Sequence, residues 1–207
     1  MTSHLPCRSP QTCSYAQFNL AVTYAEGIGV PQDDAVAAGW FLRSANAGHA
    51  KAQCSLGVAH ANGTGTAHDL VDAARWFRLA ADQGLAAAQC YLATMHANGD
   101  GGLPVDMSAA IALYRAAAEQ GDAEAQYNLG VSYGQGEGVE ENEELAVVWC
   151  AKAATQGHEA AAEVLAALQE LDDDAAAAEE KEAEEEDEGG QIRLVDRKST
   201  RLNSSHT

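Results

Sequence analysis

The fold is decided by one stretch of sequence, Ala52 to Gly84: AQCSLGVAHANGTGTAHDLVDAARWFRLAADQG. It contains an Ala-Gln dipeptide, a leucine three residues after the glutamine, a Gly-x-Gly sequence, an aromatic pair and a closing glycine. The same columns occur four times along the chain, at steps of 36, 36 and 37 residues; the glutamines are Gln17, Gln53, Gln89 and Gln126. A fixed step of this length indicates a repeat protein.

Each repeat has the pattern of a helix, a turn and a second helix. In the second repeat the first helix is predicted over residues 50–61, with Leu56 and His60 four apart on one face. The Gly-x-Gly sequence supplies positive φ angles and ends that helix. The third repeat carries one extra glycine here, which makes its step one residue longer.

The second helix of each repeat begins after a residue that can cap it. A side-chain oxygen at this position can accept from the exposed N–H groups of the first turn; the residues are Asp33, Asp69, Asp106 and Asn142. In the second repeat we expect this helix to turn Trp76, Leu79 and Ala80 towards the core. Valine and isoleucine never alternate with polar residues, so strands are unsupported and the prediction is all-α.

Taken together, these columns resemble the Sel1-like repeat, a relative of the tetratricopeptide repeat. The resemblance implies a right-handed α-solenoid of antiparallel helix hairpins, with four repeats and a C-terminal capping helix. It also implies a concave groove, lined by the first helix of each repeat, that binds a peptide or a helix of a partner protein. The expected function is therefore a non-catalytic scaffold or adaptor for protein–protein interaction.

The repeats define the predicted domain organisation. Residues 1–14 form an irregular segment that is compatible with a truncated N-terminus, and residues 172–190 form an acidic, Glu/Ala-rich tail. Residues 191–207 are a C-terminal segment in which 196–206 resemble a translated sequencing adapter, so they enter no functional argument. The predicted repeats are 15–49, 50–85, 86–122 and 123–158, followed by a capping helix at 159–171.

Charge and hydropathy exclude several functions. The formal net charge is −19, from 31 acidic and 12 basic residues, and such a field repels nucleic acid and anionic membrane surfaces. No apolar run approaches the ~20 residues that a membrane helix needs, and no signal peptide is visible. We therefore expect no membrane insertion and a cytoplasmic location. The five cysteines show no regular pairing, which favours reduced thiols.

No pattern of catalytic or metal-binding residues stands out. His60 and His96 share a column in which the other repeats have tyrosine, and without carboxylate or thiolate partners they make a poor zinc site. Cys54 and Cys90 share another column and fit small apolar positions. Each Gly-x-Gly follows a helix rather than a strand, which argues against nucleotide binding. We expect no enzyme, metal or cofactor.

The resemblance places candidate partner-binding residues beside the column leucine and near the end of each first helix. Amide and tyrosine side chains suit this role, since they offer hydrogen bonds and rigid contact area. The candidates are Phe18, Asn19, Val22, Ser55, Val58, Asn62, Tyr91, Thr94, Asn98, Tyr127, Asn128, Val131 and Gln135; Glu26, Cys54 and Cys90 occupy equivalent positions.

Two alternatives to the adaptor stay open. One is an accessory or hydrolase-like Sel1-repeat protein with a small-ligand site, which inactivity against a panel of hydrolase substrates would exclude. The other is a self-assembling solenoid that associates through its open end before Tyr15, which a monomeric mass in solution would exclude. The sequence does not set the oligomeric state or name the partner.

Overall fold

The computed structural model describes residues 10–167, with side chains from residue 13 onwards. Every regular element in this range is helical. The α-helices are α1 (Pro10–Glu26), α2 (Asp34–Asn46), α3 (Ala50–Asn62), α4 (Leu70–Asp82), α5 (Ala86–Asn98), α6 (Met107–Glu119), α7 (Ala123–Gln135) and α8 (Glu143–Thr155). A short 3₁₀ helix (Asp100–Gly102) holds the extra glycine of the third repeat.

The helices pair as hairpins that stack in chain order. The most extensive contacts join α1 to α2, α3 to α4, α5 to α6 and α7 to α8, and the next most extensive join each hairpin to the following one. Neighbours along the chain are therefore neighbours in space, which is the arrangement of a solenoid. The prediction of an all-α repeat fold is confirmed.

The chain ends are described only in part. The helix α1 begins at Pro10, within residues 1–14, which the sequence analysis predicts to be irregular. Proline is favoured in the first turn of a helix. The chain divides into two units after Ala162. Helical residues begin at 159 and continue to 167. The rest of the predicted capping helix, the acidic tail and the C-terminal segment lie outside the described residues.

The predicted caps are confirmed in all four repeats. The carboxylate of Asp69 accepts from the N–H groups of Val71 and Asp72 at 2.9 and 3.0 Å. Each of the other three capping side chains accepts from one N–H three residues ahead; these are Asp33, Asp106 and Asn142. The first helices end at glycines with φ near +70°, including Gly63 and Gly136. Local sequence chemistry thus sets both ends of the turn.

The second glycine of the turn has a role that the sequence analysis missed. A methyl group on Gly65 would overlap the carbonyl oxygen of Asp34, the first residue of α2 in the preceding repeat. The equivalent Gly101 lies against Leu70, and Gly138 against Met107. Only a residue without a Cβ permits this approach. The glycine is therefore needed for contact between repeats as well as for the turn.

The core follows one face of each second helix, and the expectation for Leu79 was wrong. Ala73, Phe77, Ala80 and Ala81 are buried, whereas the Leu79 side chain is 47 % exposed. The buried residues are spaced by three or four, which is the helical period, and Leu79 lies outside that stripe. Trp76 is half-buried and packs on the edge of the core.

The cysteines divide into two groups. Cys54, Cys90 and Cys150 are free and buried, as expected for small apolar positions. Cys13 is disulfide-bonded, which contradicts the expectation that all five thiols are reduced. The irregular spacing of the cysteines along the chain did not predict this bond. Whether two cysteines can pair depends on the distance and orientation between them in the fold.

Candidate protein-binding groove

A mostly apolar cavity of about 610 Å³ opens along α3. Its walls come from α1, α2, α3 and the start of α5. A cavity of this size falls within the usual range of about 300–1,000 Å³ for ligand pockets. The large side chains that line it are Phe18, Phe41, Val58, Leu85 and Tyr91.

The cavity follows the length of α3 and has polar groups at both ends. Lys51 lies in the first turn of α3, while Asn62 is its last residue and Thr64 follows in the turn. Asp34, the first residue of α2, lines the cavity as well. It belongs to the Asn62 end, because Gly65 touches its carbonyl oxygen.

Tyr91, on α5, lines the cavity, and its ring packs against the ring of Phe77. Its ring stacks on Phe77 with centroids 4.9 Å apart and planes 21° from parallel. The side chain is still 46 % exposed. Burial raises the pKa of the Tyr91 hydroxyl, with smaller contributions from nearby groups that include Asp122 and Glu124. The hydroxyl therefore stays protonated near neutral pH and can donate a hydrogen bond to a partner.

At the opposite wall, Phe18 belongs to an aromatic group around His49. The ring of Phe18 lies 5.8 Å from that of Phe41 and 4.7 Å from that of His49, measured between centroids. Tyr15 meets His49 edge-on at 4.5 Å. Nδ1 of His49 also accepts from the N–H of Ala52 at 3.1 Å and so caps α3. The His49 side chain therefore contacts this wall and also caps α3, the helix that supplies more lining residues than any other.

The predicted groove residues do not all lie together. Five of them line this cavity, and Asn19 lines an adjoining open cavity of about 810 Å³ at the loop end. The five are Phe18, Ser55, Val58, Asn62 and Tyr91; Cys54, from an equivalent position, joins them. Neither cavity is lined by Val22, Thr94, Asn98, Tyr127, Asn128, Val131 or Gln135.

Some of the candidates in the later repeats already have partners within the fold. The ring of Tyr127 stacks on His158 with centroids 4.6 Å apart. The Thr94 hydroxyl lies 2.9 Å from the Tyr114 hydroxyl and donates to the Cys90 carbonyl at 3.2 Å. The repeat pattern predicted the same role in all four repeats because the columns are alike. The cavity, however, is lined by the small residues Ser55 and Ala87, and the other repeats have larger residues in the column of Ser55.

The shared cysteine column is buried, and the shared histidine column is half-buried. Burial raises the pKa of Cys54 to about 11, and it also raises the pKa of Cys90, so both thiols stay protonated. His60 and His96 each have a buried Nδ1 with no hydrogen-bond partner among the described residues. Within residues 10–167, no three His, Cys, Asp or Glu side chains are placed to hold a metal ion.

A ladder of glutamine pairs links the helices beside the groove. Nε2 of Gln83 donates to Oε1 of Gln53 at 2.7 Å, and Gln53 in turn donates to the Ala45 carbonyl at 3.1 Å. The same pair occurs as Gln120–Gln89 and Gln156–Gln126. The sequence analysis used the first glutamine only as a marker. A second glutamine also precedes the closing glycine of the second, third and fourth repeats, and this recurrence could have predicted the pairing.

None of the helices in the described part of the chain is long and apolar enough to cross a membrane. This finding concerns residues 10–167 alone.

Comparison with known proteins identifies the repeat. The family model for the Sel1 repeat matches residues 14–49, 50–85, 86–122 and 123–158. No curated protein matches the chain at a significant level. Proteins built from Sel1 repeats generally mediate protein–protein interactions, and the fold is typically a non-enzymatic scaffold.

Two solved structures support the family. A Sel1 repeat protein from Oxalobacter formigenes is 34 % identical, with a TM-score of 0.71 over 79 % of this chain and 65 % of that chain. The c5321 protein, a protective antigen of uropathogenic Escherichia coli strains with an SLR fold, is 37 % identical, with a TM-score of 0.70. That match covers 75 % of this chain and 33 % of c5321, so the chain spans less than two thirds of either relative. With four matched repeats over most of its length, the chain belongs to the Sel1-repeat family.

Proposed function

We propose that this chain is a non-catalytic scaffold that binds a peptide segment of another protein in the cavity along α3. The observation that carries the proposal is an open apolar cavity of about 610 Å³ on a fold whose family generally mediates protein–protein interaction. The cavity could hold several large side chains of a partner. Polar groups are confined mainly to its ends, which is the composition of a peptide-binding surface.

The walls are preorganised for binding. Phe18 packs against Phe41 and His49, and Tyr91 stacks on Phe77, so neither ring needs to be ordered when a partner arrives. Fixing such side chains in advance removes an entropic cost of about 0.5–1.5 kcal/mol for each. Tyrosine is among the residues enriched in interface hot spots, and Tyr91 supplies such a ring at this cavity.

A site-directed crosslinking experiment tests the proposal. A photoreactive phenylalanine is placed at Tyr91 in the cavity or at Val148 on α8, and each variant is irradiated in an extract of the source organism. The two sites are matched because both side chains are 46 % exposed. We expect a defined crosslinked partner from position 91 and none from position 148. Equal labelling at both positions would contradict a binding groove.

A cavity-filling variant provides a second, independent readout. Ser55→Tyr introduces the residue that the same column already has at Tyr91, so the scaffold is expected to accept it. The added ring occupies the cavity and should abolish the crosslink from position 91. Circular dichroism and the melting temperature confirm that the variant keeps its fold. Retention of the crosslink in folded Ser55→Tyr protein would place the partner elsewhere.

A further inference from the structure

The charges around the cavity are not symmetric, and the difference indicates which partner fits. At the Asn62 end, Asp34 lines the cavity and Glu26 is exposed at the end of α1, next to the lining residue Ala25. The first helices end here, but α2 begins here too, so the partial charges of the helix ends are of both signs and give no preference. Within the described residues Asp34 forms no ion pair, and its carboxylate accepts a long hydrogen bond of 3.4 Å from Gln32.

The opposite end carries charges of both signs. Lys51 lines the cavity there, while Asp122 and Glu124 are close enough to contribute to the raised pKa of Tyr91. This end therefore gives no clear preference for a cation or an anion. The charge preference of the cavity is therefore set at the other end, where the lining residue Asp34 and Glu26 at the end of α1 are both negative.

Length also restricts the occupant. The helix α3 has 13 residues, and a helix of that length extends about 20 Å. About six residues of extended peptide, or a helix of the same number of residues as α3, would follow the cavity from one end to the other.

We propose that the cavity receives an amphipathic peptide segment of a partner protein, with large apolar side chains beside Val58 and Tyr91 and a lysine or arginine at the Asp34 end. This inference rests on the proposed function and adds the chemistry and orientation of the segment. Charge complementarity argues against two other occupants: the acidic segment 172–190 of this chain, and a second copy of a protein whose formal charge is −19.

The test selects peptides without assuming a natural partner. A phage library of random 12-residue peptides is panned against the full chain, and selected clones are counter-screened on Ser55→Tyr. Clones that require the open cavity are synthesised with a fluorescent label, and their affinities are measured by anisotropy. We expect these peptides to contain at least two large apolar residues and a lysine or arginine towards one end.

The orientation is tested by a double-mutant cycle. Asp34→Asn should weaken the binding of such a peptide by about 2- to 5-fold. Replacing the terminal lysine or arginine of the peptide by glutamine should have a similar effect, and the two losses should not add. Asp82→Asn is the matched control, since Asp82 is exposed on α4 and lines neither cavity. It should leave the affinity unchanged.

Each contrary result has a distinct meaning. Cavity-dependent peptides that are acidic, or that are indifferent to Asp34→Asn, overturn this inference and leave the proposed function intact. A synthetic peptide of residues 172–190 that binds the cavity overturns it in favour of the chain's own tail. A dimer in light scattering that is lost in Ser55→Tyr overturns it in favour of a second copy. If no peptide depends on the cavity, the proposed function fails as well.

Discussion

The side chain of Gln83 donates a 2.7 Å hydrogen bond to Oε1 of Gln53, which joins the end of α4 to the side of α3. The equivalent glutamine pair forms the same hydrogen bond in the third and fourth repeats. The first repeat lacks this pair. Gln17 occupies the position of Gln53, but Ala47 stands where Gln83 would be, and the buried Oε1 of Gln17 has no partner among the described residues.

The missing glutamine pair of the first repeat predicts a stabilising substitution. Ala47→Gln should supply the missing donor, because Ala47 has nearly the same backbone angles as Gln83, with φ of −83° against −85°. We expect a gain of about 1 kcal/mol in the free energy of unfolding, measured by urea titration. Ala47→Glu is the control, since a carboxylate cannot donate to Oε1. An equal gain in both variants would rule out the hydrogen bond as the cause.

The second glycine of the turn predicts a difference between two equivalent substitutions. Gly29 and Gly65 have φ angles of +74° and +69°, so alanine carries a similar backbone cost at each. An added Cβ meets nothing within 4 Å at Gly29 but overlaps Asp34 at Gly65. Gly65→Ala should therefore lower the free energy of unfolding by about 1–3 kcal/mol more than Gly29→Ala. Thermal melts of the two variants make the comparison, and equal losses would count against a tight contact between repeats.

The His49 cap predicts a loss of stability in mild acid. Burial, with a smaller contribution from the charge of Lys51, lowers the pKa of His49 below 6.5. The unfolded chain therefore binds this proton at a higher pH than the folded chain does, so the contribution of His49 is complete above pH 6.5 and falls as the pH is lowered through that value. The unfolding midpoint, measured between pH 7.5 and 5, should show this decrease.

His49→Asp separates this effect from the other histidines. Asp122 occupies the same column and caps α7 by accepting from the N–H of Ala125 at 2.9 Å, so aspartate keeps an acceptor at the start of the helix. The variant should lose part of the pH dependence between 7 and 5, whatever its stability at neutral pH. If the unfolding midpoints of the variant and the parent protein fall equally between pH 7 and 5, the pKa of His49 is not lowered by folding.

The histidine column predicts unequal effects of two identical substitutions. Nη2 of Arg115, in the third repeat, donates to the hydroxyl of Tyr133, in the fourth repeat, at 2.9 Å. By repeat equivalence, we expect Arg78 to lie beside His96 and Leu42 to lie beside His60. His96→Tyr should remove a buried unpaired nitrogen and gain a hydrogen bond from Arg78, whereas His60→Tyr should only remove the nitrogen. We expect His96→Tyr to be the more stabilising, by about 0.5 kcal/mol, and Arg78→Ala should abolish the difference.

The sequence by itself determined the hairpin, its turns and its caps, because these depend on residues close together in the chain. A glycine permits positive φ, and an aspartate three residues before an N–H can cap it, whatever surrounds them. It also determined that the repeats stack, since one hairpin cannot bury its own apolar face.

Only the tertiary structure decided how one repeat meets the next. It showed that Gly65 lies against Asp34, that Leu79 faces solvent, and that Gln53 pairs with Gln83. It also placed the cavity of about 610 Å³ beside α3, although the column pattern is the same in all four repeats. The physical reason is that the repeat pattern sets the position of each backbone site in its hairpin. An open cavity depends instead on the sizes of several side chains from different helices, which the repeat pattern does not specify.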